Sequence, residues 1–317
     1  MKEISIGIIG CGAIGLKHIQ NFSSMDGIKE IMICDASEKR LNFIKRKFKI
    51  SKAFTSVEDI VQNSDALCIS TPNSLHFTHA LEAINAGKDV LVEKPMTTIS
   101  SDAEKLVEEA EKRKVILAVG CQKRFNKDYQ HLKATIHQGR IGKPIFVRAR
   151  MLIEGPYRGW KAIGDWWYSK EFGSGALIDT GSHMIDLILW IFPFSVTRVS
   201  GFLGKNMDLP VEEYAFCILG LENNLTAILE LGWFTKNGEK LEVVGTMGGI
   251  EAKNKLGFRD YLVSKLKLNK DEWYFQDRAF VMSVLRRKIV PPLSTGMDGL
   301  KVVRIVERIY EQSQLPQ

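Results

Sequence analysis

The sequence predicts an α/β chain of two domains. A doubly wound parallel sheet is expected over residues 1–122, and an α+β domain with a large, mainly antiparallel sheet over 123–317. Three observations predict this. A short β-branched apolar run, Ile4–Ile9, leads directly into glycines at 10, 12 and 15. Apolar runs then alternate with amphipathic stretches as far as Gly120, as a parallel sheet with crossover helices requires. After Arg124 that alternation stops, and strand-like runs follow one another across tight turns.

The first strand, Ile4–Ile9, has the length and composition of a buried parallel strand. The glycines after it stand in G-x-G-x-x-G spacing, and each has a separate task. Gly10 permits a tight turn, Gly12 leaves bare backbone for a pyrophosphate, and Gly15 lets the next helix pack close to the strand. That helix, predicted over Ala13–Phe22, points backbone N–H groups and a positive dipole end at phosphate. Gly10, Gly12, Ala13, Ile14 and Gly15 are therefore candidate dinucleotide contacts. The second strand, Ile28–Cys34, ends in Asp35, twenty residues after Gly15, where a carboxylate accepts from the adenosine ribose hydroxyls. A 2′-phosphate would meet like charge there, so NAD is expected over NADP. Lys39 or Arg40 would offset this by pairing with the phosphate, and Arg40 is the candidate contact.

The alternation continues with a charged helix over 38–49, a short strand at 53–54 and a brief helix over 57–62. Strand Ala66–Ser70 stops at Thr71-Pro72-Asn73, and helix His76–Asn85 closes at Gly87. Strand Lys88–Val92 stops at Glu93-Lys94-Pro95. Helix Ser101–Lys114 leads to strand Val115–Gly120, which stops at Cys121–Arg124. Ligands of open parallel sheets sit beyond the carboxyl ends of the strands, so these strand ends are expected to converge on one crevice.

In the second half a helix over 127–138 is closed by Gly139. A strand is expected at 145–153, then a loop over 154–172 rich in Trp, Tyr and Gly. Helix Ala176–Ile191 stops before Pro193, and strands follow at 197–203, 214–220, 226–233 and 241–245. An amphipathic helix over 297–314 ends the chain. Along 226–233, Ala227, Leu229, Leu231 and Trp233 share one face while Ile228 lies on the other. Helices cover only one face of such a sheet, so a homodimer or homotetramer joined through the other is expected.

Composition excludes several classes. The net charge of +7 comes from scattered basic clusters, not from the concentrated stripe that nucleic-acid binding needs. No apolar run reaches the ~18 residues of a membrane span. Glu3 and the glycine spacing count against a secretory leader at the N-terminus. Five cysteines lie far apart without a C-x-x-C, which points to a reduced, cytoplasmic compartment. His18, His76, His79, His131 and His137 form no four-ligand set, so no metal is expected.

Two constellations carry chemistry. Lys94 ends a buried strand in the predicted crevice, with Pro95 fixing the chain direction after it; by position alone it is equally an ordinary surface lysine. Asp179 and His183 stand four apart on a predicted helix, hence on one face. A carboxylate there fixes the imidazole tautomer and leaves the other nitrogen to take a proton. The competing reading is a helix N-terminus decorated with polar groups, with Asp186 solvated. Trp160 and Trp167 either stack on a sugar or pack the domain junction.

Taken together these residues resemble the glucose–fructose oxidoreductase / inositol dehydrogenase (Gfo/Idh/MocA) family. The resemblance rests on Gly10-Cys-Gly-Ala-Ile-Gly15, Thr71-Pro-Asn73 with His76, and Ala86-Gly-Lys-Asp-Val-Leu-Val-Glu93-Lys94-Pro95. It continues through Val119-Gly-Cys-Gln-Lys-Arg124-Phe125, Gly175-Ala-Leu-Ile-Asp179-Thr-Gly-Ser-His183-Met-Ile-Asp186 and Val244-Gly-Thr-Met-Gly-Gly249. Ser174 stands where a glycine is usual, and the match is weak beyond about residue 250. The resemblance implies a Rossmann domain and NAD(P)-dependent oxidation of a sugar, inositol or nucleotide-sugar hydroxyl. It implies Lys94, Asp179 and His183 as the catalytic set. Thr71, Pro72, Asn73, His76, Glu93 and Gln122 match positions around the nicotinamide, and Arg124, Trp160 and Trp167 are the added candidates for substrate contact. The same family holds NAD-using glycoside hydrolases and non-catalytic dinucleotide-binding regulators.

Overall fold

A computed structural model describes residues 3–154, 169, 171, 173–206, 209–233, 238–254 and 271–313. Their contacts divide the chain into two units, 1–122 with 272–303, and 123–271 with 304–317. The sequence predicts a single break at 122. The difference lies in a C-terminal segment that returns to the first unit.

The first unit is a seven-stranded sheet in the order β13-β6-β5-β4-β1-β2-β3. Its strands are β1 (Ile4–Ile9), β2 (Ile28–Cys34), β3 (Lys52–Phe54), β4 (Ala66–Ile69), β5 (Asp89–Glu93), β6 (Leu117–Gly120) and β13 (Ser294–Thr295). The first six run parallel, and β13 pairs antiparallel with β6. Every residue of β1, β4, β5 and β6 is buried, as expected of a sheet covered on both faces. The helices are α1 (Ala13–Phe22), α2 (Glu38–Phe48), α3 (Val57–Asn63), α4 (His76–Asn85) and α5 (Ser100–Arg113). Ser37 and Ser56 cap α2 and α3 by accepting the Arg40 and Asp59 amides.

The returning segment carries a helix, residues Glu272–Arg286, that packs on α1; it is α8 in chain order. Arg287 then pairs with Asp89 of β5, and β13 adds the seventh strand. These links explain why 272–303 belongs with the first unit.

The second unit holds α6 (Lys127–His137), a π-helical turn over Leu177–Gly181 and α7 (Ser182–Ile191). Its six-stranded sheet has the order β12-β11-β7-β10-β9-β8. The strands are β7 (Pro144–Leu152), β8 (Val196–Gly204), β9 (Tyr214–Leu221), β10 (Thr226–Gly232), β11 (Gly238–Gly245) and β12 (Gly248–Asn254). All neighbours run antiparallel except β7 and β10, which are parallel. Ala215, Cys217, Leu219, Ala227, Leu229 and Leu231 are buried on one face. On the other face Phe202, Phe216 and Ile218 are each more than half exposed, and Phe202 sits directly opposite Phe216. The last helix, α9, runs over Gly296–Gln312.

Candidate active site

The glycine turn has the form its spacing predicts. Gly10 has φ +88°, and a Cβ there would come within 2.7 Å of the Ser70 carbonyl group. A Cβ on Gly15 would run into the Gly10 carbonyl oxygen, so only glycine lets α1 start this close to β1. Gly12 faces open space and caps α1 without a side-chain hydrogen bond, and the first turn carries no acid. The N-terminus of α1 therefore keeps its amides and dipole for an anion.

Asp35 ends β2 beside this turn. Its Oδ2 accepts the Cys11 amide at 2.8 Å and its Oδ1 the Ser37 amide at 2.9 Å. Arg40 Nη1 lies 2.9 Å from both oxygens. Arg40 is thus placed at the carboxylate expected to read the ribose, which it partly neutralises. Cys11 is buried, and burial, then the Asp35 charge, pushes its thiol well above its ordinary range. It is a packed thiol and not a nucleophile.

The Thr71–Asn73 segment ends β4. His76 stands between it and the end of β5: Nε2 lies 2.9 Å from the Thr71 carbonyl oxygen and Nδ1 2.8 Å from that of Pro95. Burial holds the His76 pKa below its ordinary value against these hydrogen bonds. With one N–H the neutral ring donates to one of these carbonyls at a time, so His76 lies between two strand-end loops and ties to one of them. Gln122 is buried, and its Oε1 has no partner among the described residues. The open Gly12 backbone, the acceptor-rich Asp35 and this orphaned amide oxygen fit a dinucleotide carrying phosphates, ribose hydroxyls and a carboxamide.

Lys94 is partly buried and belongs to the first unit, whereas Asp179 and His183 belong to the second. Asp179 lies on the π turn, where the sequence predicts ordinary α-helix; such turns recur at functional sites. Its Oδ2 accepts the indole N–H of the fully buried Trp233 at 3.1 Å. Glu212 anchors the start of the turn: its Oε1 accepts the Leu177 amide at 3.0 Å and the Tyr310 hydroxyl at 2.7 Å. His183 is buried in the first turn of α7. Trp233, Glu212 and Tyr310 had no sequence signal beyond an apolar strand end and an ordinary acid and phenol.

The competing reading of Asp186 as a solvated residue does not hold, since it is 1% exposed. Its carboxylate takes Arg124 in a bidentate pair, Nε to Oδ2 at 2.9 Å and Nη2 to Oδ1 at 2.6 Å. Arg124, expected at substrate, is 4% exposed and bound to α7 through that pair. Trp160 and Trp167 lie outside the described residues. Among the described residues, no group of three His, Cys, Asp or Glu could hold a metal ion.

Residues 4–121 match the model of an oxidoreductase family with an NAD-binding Rossmann fold, and 129–251 match the GFO/IDH/MocA C-terminal domain. The chain is 26% identical to a myo-inositol 2-dehydrogenase of Thermotoga maritima, over 93% of this chain and 91% of that one. It is also 26% identical to the scyllo-inositol 2-dehydrogenase (NADP(+)) IolW of Bacillus subtilis, over 99% and 95%. The WlbA dehydrogenase from Bordetella pertussis, solved with NADH and UDP-GlcNAcA, shares the fold with a TM-score of 0.84 at 24% identity, over 98% and 96%.

Proposed function

The chain belongs to the Gfo/Idh/MocA oxidoreductase family, and from that membership we propose that it oxidises a secondary hydroxyl of an inositol, sugar or nucleotide sugar with NAD, using Lys94, Asp179 and His183. The observation that carries the reading is the family match across both halves of the chain, which includes the glycine turn with Asp35 beside it.

Bound NAD supplies the two-electron acceptor. The protein supplies position and proton transfer. His183 takes the hydroxyl proton on one ring nitrogen, and Asp179 holds the other and stabilises the imidazolium. The Trp233 hydrogen bond supports this role by fixing the carboxylate. Lys94 donates to the reacting oxygen and stabilises its developing charge. Thr71, Pro72, Asn73, His76, Glu93 and Gln122 shape the nicotinamide end. Asp35 selects the unphosphorylated ribose.

The exposed Phe202, Phe216 and Ile218 support a homodimer or homotetramer joined through the open sheet face. Toward its middle that face carries the ion pair Arg150–Glu230. The five cysteines are free and buried, which supports a reducing, cytoplasmic setting. Among the described residues no helix is long and apolar enough to cross a membrane. A panel of inositols, sugars and nucleotide sugars, read by reduced-nicotinamide absorbance, tests the activity. Turnover of none of them, with NAD bound, contradicts it.

A further inference from the structure

Beside the end of β5 lies a buried charged cluster of which the scheme above uses only Glu93. His18 of α1 is 0% exposed, its ring stacked on Phe22 and set edge-on to Trp273. Its Nδ1 lies 2.8 Å from Asp277 Oδ1 of α8, and its Nε2 lies 3.2 Å from Glu93 Oε1 of β5. Asp277 is also 0% exposed, and its Oδ2 accepts the Asn21 side-chain amide at 2.7 Å. A neutral imidazole has one N–H, yet here both ring nitrogens face carboxylate oxygens. The arrangement is satisfied by the imidazolium. Burial alone lowers the His18 pKa, but the charge and hydrogen bond of Asp277, together with those of Cys68, outweigh it and hold the group well above its ordinary value.

Buried ion clusters are poor sources of stability, because desolvation offsets attraction. What this one does provide is orientation. The Glu93 carboxylate is held by His18 on one side and pressed against Gly120, where a Cβ would strike it. Glu93 is the last residue of β5, and Lys94 follows it directly. Three segments distant in sequence therefore fix the residue from which Lys94 departs.

We propose that His18 and Asp277 are positioning residues for the reaction: they lock Glu93, and through it the Lys94 end of β5, so that a helix from the last fifth of the chain is part of the catalytic apparatus. The proposal rests on Lys94 as the donor to the reacting oxygen.

The test is a double-mutant cycle in the full-length protein. His18→Phe fills a similar volume between Phe22 and Trp273 without a hydrogen bond, and Asp277→Asn keeps the shape of the carboxylate. Each is made alone and with Lys94→Ala, and kcat, substrate KM and the NAD dissociation constant are measured. Each single variant is expected to lose about 10–100-fold in kcat, the scale of a displacement near 1 Å. KM and NAD affinity are expected to stay within about threefold. On the Lys94→Ala background, neither change is expected to slow the enzyme further, because its effect passes through Lys94. Wild-type kcat in the folded variants overturns the proposal. So do losses that add to that of Lys94→Ala, or NAD affinity that falls in step with kcat. If His18→Phe does not fold, Asp277→Asn decides by the same readings. Normal turnover in Lys94→Ala alone marks failure of the Lys94 assignment, and the positioning proposal falls with it.

Discussion

Asp35→Asn is the change whose consequence can be worked furthest. The asparagine is nearly isosteric, so one oxygen still accepts the Cys11 amide, while the charge that holds Arg40 disappears. On the proposed reading the carboxylate accepts from the ribose, and a hydrogen bond to a charged group is worth about 1.5–3 kcal/mol. At about 1.4 kcal/mol per decade, losing most of that costs NAD roughly 10–100-fold. A 2′-phosphate about 4 Å from Asp35 at an effective dielectric near 20 meets up to about 4 kcal/mol of repulsion per unit charge. Arg40 at a similar distance offers attraction of the same order, but it is occupied by Asp35 and a third of its side chain is exposed, so solvent screens it. Removing the carboxylate takes away the repulsion and frees the guanidinium together. The ratio of kcat/KM for NAD to that for NADP is therefore expected to fall by about 10²–10³ in Asp35→Asn. Arg40→Ala should move it the other way, by about tenfold, through weaker NADP use. The assay is steady-state kinetics with both cofactors on the best substrate of the panel. A ratio that moves less than about threefold in Asp35→Asn refutes the assignment of this carboxylate to the ribose.

Trp233→Phe keeps a ring but removes the N–H that holds Asp179, so turnover is expected to drop about tenfold with NAD affinity unchanged; a loss of about 1–2 kcal/mol in denaturant unfolding should accompany it. Phe216→Lys on the exposed sheet face is expected to shift sedimentation toward monomer, and an unchanged profile argues against that face as the interface. Glu212→Gln preserves both accepted hydrogen bonds and removes a carboxyl whose pKa burial raises above its ordinary 4.5. A raised acid pKa means that stability is present below pH 4.5 and is lost as pH rises through the folded value. The melting temperature of Glu212→Gln should therefore gain on wild type as pH rises from 4.5, and a constant difference contradicts this.

The first unit was legible where its signals are local. An apolar run of five or six residues and a glycine turn identify β1 and α1, and a charged run after Asp35 identifies α2. The returning segment was not, because its determinants lie far apart. Nothing local in the sequence singles out Asp277; it is buried against His18 and Asn21, which meet it from 259 and 256 residues away. The two residues of β13 are too few to show alternation. In the candidate site the chemistry-bearing types Lys94, Asp179 and His183 stood out, but their supports did not. Trp233 looks like the end of an apolar strand, and nothing local pairs Arg124, a candidate for substrate contact, with Asp186 until tertiary packing buries the two together. The π turn under Asp179 depends on Glu212, 35 residues further on from Leu177.

The central claim is that Lys94 and His183 act in the chemical step and not in holding the cofactor. The most direct measurement sets turnover of Lys94→Ala and His183→Ala beside their NAD affinity from fluorescence titration. The account predicts losses in kcat of roughly 10²–10³-fold for Lys94→Ala and about 10²–10⁴-fold for His183→Ala, with NAD affinity within a few-fold of wild type. Near-normal turnover in either variant, or NAD binding lost in proportion to activity, contradicts it.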